Sequence, residues 1–286
     1  MALVAGGAAS SQTGSAVAAL ALPILGIPAV VVVRQLVMAL VHLPLSVRHL
    51  RAAPRRHLLW GVLVGLPMGA MNLSIYAAIR SMGVGLAVTV EFLGPLALSV
   101  IASRSRIGVA CAIAGFAGMV CVTGPSGTAT GPGTLFGLLA GLCWALYLTA
   151  SQAAGRRLRG LAPSAIAAVT SVTLLLPVVI LTLDPAQVRI RGIVFALLAG
   201  VLSSALPYGA DVLALRRLPL SLVATLMSLH PGTAAIAGLI ILGERLSLVD
   251  VIGLLLISAA NAIAVRAARP RPGSGPDTIP VDAAAG

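Results

Sequence analysis

Residues 78–95 read AIRSMGVGLAVTVEFLGP and align without gaps with residues 214–231, ALRRLPLSLVATLMSLHP, at an offset of 136 residues. Several equivalent positions carry the same residue, among them Ala78 and Ala214, Leu86 and Leu222, Thr89 and Thr225, and Pro95 and Pro231. Both segments are otherwise largely apolar. The alignment predicts a chain made of two related halves.

The composition is typical of a membrane protein. Of the 286 residues, 59% are hydrophobic and 9% are charged, whereas soluble domains carry about 25% charged residues. Several windows of roughly 20 residues are almost free of charge, which is the length a helix needs to cross a bilayer. The net charge of +12 does not indicate a nucleic-acid partner, because the arginines lie in short clusters between apolar spans.

The hydrophobic pattern predicts ten spans, near residues 3–22, 27–46, 58–80, 84–102, 107–123, 132–152, 163–183, 190–210, 219–242 and 247–266. Each half then holds five helices, and an odd number forces the halves into opposite orientations. The predicted fold is an all-α membrane protein of ten transmembrane helices in two inverted five-helix repeats, an architecture of secondary transporters. The repeats cover residues 1–125 and 131–266, and a disordered cytoplasmic tail follows at 267–286.

The arginines predict the orientation. With the N-terminus inside, fourteen arginines fall in inner loops and the tail, and four fall in outer loops. Positive charge accumulates on the cytoplasmic side. We therefore expect a multi-pass protein of the bacterial inner membrane with both termini in the cytoplasm.

No catalytic motif occurs in the sequence, and no metal or cofactor is expected. The patterns of metalloproteases, serine hydrolases and P-loop enzymes are all missing. The three cysteines, Cys111, Cys121 and Cys143, lie in apolar spans without metal-binding spacing. The sequence thus predicts a protein that is not an enzyme.

Two charges lie deep in predicted spans. Glu91 and Arg34 are each about 10 Å from the outer end of their helices at the rise of 1.5 Å per residue. A charge at that depth needs a partner or a cavity. Two interpretations stay open: a structural Glu91–Arg34 pair that locks two helices, or a water-accessible site that uses one or both charges. Glu91 is also the candidate for proton coupling, because an isolated carboxyl group can take up and release a proton.

Further polar and aromatic residues recur at helical spacing and are candidates to line a substrate cavity. They are Asn72, Tyr76, Trp144, Tyr147, Ser204, Tyr208, Thr225 and His230. For the hydroxyl groups, hydrogen bonds between helices are an equally good interpretation, and for His230 ordinary packing is. The first span contains SSQTGS at 10–15, which we interpret as a polar helix inside a bundle.

Five segments resemble one family. They are MNLSIYAAI, VEFLGPLA, CWALYLTASQ, LSSALPYGADVLALRRLP and GLIILGERL, in this order. Together they are similar to the EamA-domain drug/metabolite transporters, most of all to the bacterial threonine and homoserine exporter branch. The resemblance implies a ten-helix inverted repeat with cytoplasmic ends and proton-driven efflux of small amino-acid-like metabolites. The family often carries an acid at the position of His230.

The expected function is therefore export of small amino-acid-like metabolites by proton antiport with alternating access. We expect Glu91 to hold the ammonium of an α-amino acid and Arg34 to hold its carboxylate by a fork, with Gly94 and Ala97 leaving room for a short side chain. Two alternatives are an exporter of a different metabolite or drug and a non-transporting scaffold or receptor component, which predicts a sealed bundle. A homodimer is compatible with the sequence.

Overall fold

The computed structural model describes residues 2–103, 106–123, 128–208 and 230–267. All regular structure within these ranges is helical. The helices are α1 (Ala2–Ala52), α2 (Arg55–Met82), α3 (Val84–Glu91), α4 (Leu93–Ser103), α5 (Arg106–Thr123), α6 (Gly131–Gly155), α7 (Ala162–Thr182), α8 (Ile190–Gly200), α9 (His230–Ala237) and α10 (Leu248–Ala267). A 3-10 turn covers Pro185–Gln187, and π-helical turns extend α8 over Val201–Ala205 and α9 over Gly238–Leu242.

Among the described residues, six helical segments are long and apolar enough to cross a membrane. They are Gly6–Ala52, Arg55–Met82, Arg106–Thr123, Gly131–Gly155, Ala162–Thr182 and Ile190–Tyr208. Three shorter apolar helices accompany them, Val84–Leu98, His230–Leu242 and Leu248–Ala264. Large apolar side chains cover the outer surface, as at Leu181, which is 85% exposed. The prediction of an all-α, multi-pass membrane protein is confirmed.

Single glycines replace loops at two places. The first two predicted spans form one helix, α1, which changes direction at Gly26, where φ is 76° and ψ is 163°. Gly83 joins α2 to α3 with nearly the same angles, φ 84° and ψ 167°. This backbone region is accessible almost only to glycine. The sequence predicted a boundary at both places, and the structure makes each boundary one residue long.

The predicted span at 84–102 contains a short turn. The helix is interrupted at Phe92, between α3 and α4. Pro95 has no N–H to donate to the Glu91 carbonyl four residues earlier, so one bond of the helical ladder is missing here. The bonds from the Phe92 N–H to Val88 and from the Leu96 N–H to Phe92 are present. The backbone of α4 also lies against α6 here, since a Cβ atom on Gly94 would overlap the Gly141 carbonyl.

Helices from the two parts of the chain pack mainly against each other. Helix α1 contacts α7 and α8, α2 contacts α6 and α7, α3 contacts α6 and α9, and α5 contacts α10. Glycines allow the close crossings, as at Gly118 and Gly253, where an added Cβ on either would meet the other's carbonyl oxygen, 2.8 and 2.6 Å away. Small residues play this part widely in membrane bundles. Of the predicted tail at 267–286, only Ala267 is described, and it ends α10.

Candidate functional site

A cavity of about 390 Å³ lies between the two parts of the chain. Its wall combines one face of α2 and one face of α6 with side chains from α1, α3, α8 and α9. The polar and aromatic residues that line it include Ser11, Gln12, Ser15, Arg34, Asn72, Glu91, Trp144, Tyr147, Ser151, Ser203, Tyr208 and His230. A polar cavity inside an apolar bundle can hold a small hydrophilic ligand.

The cavity is buried at one end and exposed at the other. At the buried end, Gln12 is 5% exposed and Glu91 is 8% exposed. Beyond Glu91, every residue of α3 back to Val84 is buried, so this short helix separates the cavity from the surface on that side. At the opposite end the wall reaches Gly155, which is exposed. The cavity wall is therefore more exposed on the side where α6 ends.

Arg34 is buried in the wall and hydrogen-bonded by both terminal nitrogens. Its Nη1 donates to Asn72 Oδ1 at 2.9 Å and to the Tyr76 hydroxyl. Its Nη2 donates to the Ser203 carbonyl at 3.2 Å and to Ser204 Oγ at 3.1 Å. Only Nε has no partner. The guanidinium thus joins α1 to α2 and α8.

The local structure of α2 and α8 creates these partners. Asn72 and Tyr76 are four residues apart, so both project from the same face of α2. In α8 the π-helical turn over Val201–Ala205 displaces the usual backbone bonds, which leaves the Ser203 carbonyl able to accept from Arg34. Such turns occur often at functional sites.

Glu91 has the opposite environment. No hydrogen bond joins its carboxylate to another described residue, and no ion pair within 4.0 Å joins it to Arg34. It lines the cavity at the last residue of α3. A buried carboxylate without a protein partner is costly. The group is therefore available to a proton or to a cationic ligand.

Aromatic rings surround the same end. The Phe92 and Trp144 rings meet edge to face with centroids 4.7 Å apart, and the His230 ring lies 5.7 Å from Phe92 and 6.4 Å from Trp144. The Nδ1 atom of His230 is 2.9 Å from Gln12 Nε2. Nearer the exposed end, Tyr147 and Tyr208 meet edge to face at 6.1 Å.

A second acid, Glu244, holds the other end of α3. Its carboxylate accepts from the Val84 N–H at 2.8 and 3.0 Å and from the Gly85 N–H at 3.4 Å. Gly243, with φ 68°, ends the preceding helix, and its N–H and that of Glu244 bond back to Leu239 and Gly238. A negative charge at a helix N-terminus is stabilising. Glu244 is thus a cap supplied by a distant part of the chain.

Known proteins are similar to this chain in sequence and in fold. The sequence pattern of the EamA-like transporter family matches residues 131–266. The threonine/homoserine exporter RhtA of Escherichia coli (strain K12) is 32% identical over 261 residues, which cover 88% of this chain and 86% of that protein. The chain belongs to the EamA-like transporter family.

One further relative supports the family assignment, and one solved structure shares the fold. The threonine/homoserine exporter RhtA of Salmonella typhimurium (strain LT2) is 32% identical over 256 residues, with the same coverage of 88% and 86%. A solved crystal structure superposes with a TM-score of 0.66 at 19% identity, over 93% of this chain and 96% of its own. That structure shares the fold of this EamA-like transporter.

Most of the sequence-predicted site residues of this EamA-like transporter surround one cavity. Arg34, Asn72, Glu91, Trp144, Tyr147, Tyr208 and His230 line it. Tyr76 and Ser204 are fully buried and bond to Arg34. Thr225 lies outside the described residues. The structure brings the polar residues together, and their roles remain a prediction.

Two details of the predicted site differ from the structure. The fork of Arg34 is occupied by protein groups, so its terminal nitrogens are not free to hold a ligand carboxylate as predicted. Gly94 does not enlarge the cavity, because it lies against the backbone of α6 at Gly141. In both cases the reason is close contact between helices that are far apart in the sequence.

Three cavity residues of α1 were missing from the sequence-predicted site. They are Ser11, Gln12 and Ser15. Their signal was the polar segment SSQTGS at 10–15, which interrupts an apolar span. Ser11 and Ser15 are four residues apart and therefore share a face of the helix. The same spacing rule that found Asn72 and Tyr76 would have found this pair.

Proposed function

We propose that the protein is an inner-membrane secondary transporter that exports small amino-acid-like metabolites by proton antiport. The observation that carries the proposal is Glu91, a buried carboxylate that lines the cavity and makes no hydrogen bond to any described residue. Ionisable groups inside a membrane protein mark substrate paths and proton relays. The printed names of the relatives, threonine/homoserine exporters, support an amino-acid cargo.

Antiport follows when a proton and a substrate compete for one carboxylate. On the cytoplasmic side the ammonium of an amino acid displaces the proton from Glu91 and takes its place. On the outer side the amino acid leaves and a proton returns. The Glu91 carboxyl group is neutral when it holds the proton and is paired with the ammonium when the amino acid is bound, so this group is not left as a bare charge in either form. The amino acid binds only when the proton leaves Glu91, and the proton binds only when the amino acid leaves. The fluxes of amino acid and proton are therefore coupled.

In the proposed alternating-access mechanism, α3 is the helix that closes the outer path. This helix is buried along its whole length and separates Glu91 from the surface near Glu244. We infer that movement of α3 against α6 and α9 opens the outer path and that the present arrangement is open towards the cytoplasm. The connection beside the exposed end carries Arg156, Arg157 and Arg159, in agreement with a cytoplasmic face by the positive-inside rule.

The proposed architecture is ten transmembrane helices in two inverted repeats, at 1–125 and 131–266. Reciprocal packing supports it: α2 packs against α6 as α1 packs against α8, and α3 packs against α6 as α1 packs against α9. Gly118 and Gly253 meet at the crossing of α5 and α10, and their separation of 135 residues is close to the offset of the sequence repeat. Cysteine labelling from each side of the membrane, at Arg51 and at Ala186, tests the arrangement. Labelling of both from one side contradicts it.

The polar cavity argues against the alternatives. A scaffold or receptor component predicted a sealed bundle, and this bundle contains a cavity lined by charged and polar groups. A membrane enzyme with a metal centre is not supported, because no group of three metal-binding side chains occurs among the described residues.

Counterflow in proteoliposomes tests the function. Vesicles containing the purified protein are loaded with one unlabelled amino acid and diluted into trace label, over a panel of amino acids, amines and monocarboxylates of similar size. We expect transient accumulation of small zwitterionic amino acids and its acceleration by a pH gradient. Accumulation of only hydrophobic cations would favour a drug exporter, and no accumulation of any compound would refute transport.

A further inference from the structure

A groove of about 650 Å³ lies between α2 and α6 on the lipid-facing surface of the bundle. On α2 it runs from Trp60 to Ala70, and on α6 it runs from Ala153 back to Cys143. None of its described lining residues lines the substrate cavity. The two helices thus present one pair of faces to the substrate and another to the membrane. We call the site enclosed by the second pair the α2–α6 groove.

The α2–α6 groove is apolar and as deep as one leaflet of a bilayer. From Trp60 to Ala70 helix α2 rises about 15 Å at 1.5 Å per residue, which is half of the roughly 30 Å hydrocarbon core. Leu63 and Leu146 line the groove and are 48% and 53% exposed. The hydroxyl of Thr149, another lining residue, donates to the Leu146 carbonyl at 2.8 Å. The groove therefore suits an acyl chain from one leaflet better than a hydrophilic ligand.

The end of the groove where α2 begins is positively charged. The Arg157 guanidinium lies 4.1 Å from the centroid of the Trp60 ring, and its Nη1 donates to the Ala153 carbonyl at 2.8 Å. Arg157 is exposed, and no acid pairs with it among the described residues. Arg56, also exposed, precedes Trp60 by one turn and so shares its face of α2. The segments 55–82 and 131–161 contain no acidic residue.

We propose that the α2–α6 groove binds an anionic phospholipid, with an acyl chain between the two helices and the phosphodiester held by Arg157 and Arg56. An arginine fork matches two oxygens of a phosphate, and Trp60 has the position of an interfacial aromatic anchor. A zwitterionic headgroup binds less well, because it brings an ammonium beside two arginines that lack an acidic partner. Basic pockets between transmembrane helices on the cytoplasmic side are known to bind anionic headgroups.

Tryptophan fluorescence gives a local test, because the chain has only two tryptophans. Trp144→Phe leaves Trp60 as the reporter of the groove, and lipids with brominated acyl chains quench it on contact. The purified protein in detergent is titrated with phosphatidylglycerol or phosphatidylcholine that carry identical brominated chains. We expect phosphatidylglycerol to quench at about tenfold lower concentration. Trp60→Phe, which leaves only the tryptophan of the substrate cavity, should show little quenching.

Arginine variants in the single-tryptophan protein test the headgroup contact. Arg157→Gln should reduce the preference for phosphatidylglycerol about fivefold. Arg191→Gln is the matched control, since Arg191 is also exposed and stacks 5.4 Å from the ring centroid of Phe195, and it should keep the preference. Arg56→Gln removes a charge without touching the Trp60 ring, so it tests the headgroup contact even if Arg157→Gln fails to fold. Thermal unfolding in detergent identifies such a failure.

A leucine in the groove tests the acyl-chain contact. Ala70→Leu fills part of the groove at an exposed position of α2, so it should weaken quenching by both lipids several-fold. Ala112→Leu, at an exposed position of α5, should leave quenching unchanged.

Each result either supports or overturns the lipid site. Equal quenching of Trp60 by the two lipids in the wild-type groove, or an unchanged preference in both Arg157→Gln and Arg56→Gln, overturns the anionic headgroup contact. Unchanged quenching in Ala70→Leu overturns the acyl-chain contact. Dimers that form as quenching is lost, with no effect of Arg157→Gln, assign the groove to a second copy of the chain and also overturn the proposal.

Discussion

The two ends of α3 each involve a glutamate, and the two glutamates have opposite surroundings. At the first residue, Val84, the carboxylate of Glu244 accepts hydrogen bonds at 2.8 and 3.0 Å. At the last residue, Glu91 itself has a buried carboxylate with no hydrogen bond to any described residue. One end is satisfied by the protein and the other is left for a ligand. The two glutamates thus differ both in burial and in partners: Glu244 is half-buried and caps α3, whereas Glu91 is buried and has no described hydrogen-bond partner.

The sharpest test of this contrast is Glu91→Gln. We expect proton-driven export to fall by about 100-fold, because the amide neither binds a proton nor makes a charge-assisted bond to an ammonium. Uptake of labelled amino acid into inside-out vesicles under an imposed pH gradient measures it. Glu244→Gln is the matched control and should retain coupling. An equal loss of proton-driven export in Glu91→Gln and Glu244→Gln would contradict the proposed difference between the two glutamates.

The break after Glu91 depends on how closely α4 approaches α6. A methyl group in Gly94→Ala would overlap the backbone carbonyl of Gly141, which cannot retract as a flexible side chain can. We expect a loss of about 3 kcal/mol in the free energy of unfolding, measured by thermal unfolding in detergent. Gly232→Ala, where nothing lies within 4 Å of the added atom, is the control. A wild-type unfolding temperature for Gly94→Ala would refute the tight crossing.

The Arg34→Lys variant tests whether Arg34 interacts with Glu91. Lysine cannot reproduce the planar fork that reaches α2 and α8, so we expect a loss of about 2 kcal/mol in stability. Arg157→Lys, at an exposed arginine, should cost less. The double variant with Glu91→Gln should be additive within about 0.5 kcal/mol. A larger coupling energy would mean that Arg34 and Glu91 act as a pair.

Glu244→Gln should have the smallest effect of the series. The amide oxygen still accepts from the Val84 N–H, but the favourable charge at the helix N-terminus is gone. We expect a loss of about 1 kcal/mol in stability, seen as a lower unfolding temperature. Glu244→Ala should cost more, because both acceptor oxygens are removed. An Ala variant as stable as the Gln variant would show that these hydrogen bonds contribute nothing.

Much of the architecture was predictable because apolar length is a local signal. The predicted spans at 107–123 and 163–183 match α5 and α7 to within one residue. The turns at Gly26 and Gly83 also fall at predicted boundaries, although nothing local reveals that each is one residue long. The break at Phe92 was harder to place, since it depends on contact with α6 as well as on Pro95.

Most residues of the candidate site were predictable from the sequence, whereas the hydrogen bonds between them were not. Glu91 and Arg34 stood out by charge, and they do line one cavity. Which of them has protein partners depends on Ser203 and Ser204, about 170 residues from Arg34 in the chain. Spacing within one helix carries no information on such contacts.

The single-residue turns at Gly26 and Gly83 have a practical consequence for protein engineering. Neither turn has a loop into which an epitope tag or a protease site can be inserted, and an insertion would separate two helices that meet at one residue. The connection between α7 and α8 differs, since Pro185 and Ala186 are exposed. Insertions are best tolerated at such exposed tips. An affinity handle or an antibody epitope therefore belongs at Ala186, where purification and surface detection need not disturb the helix pairs.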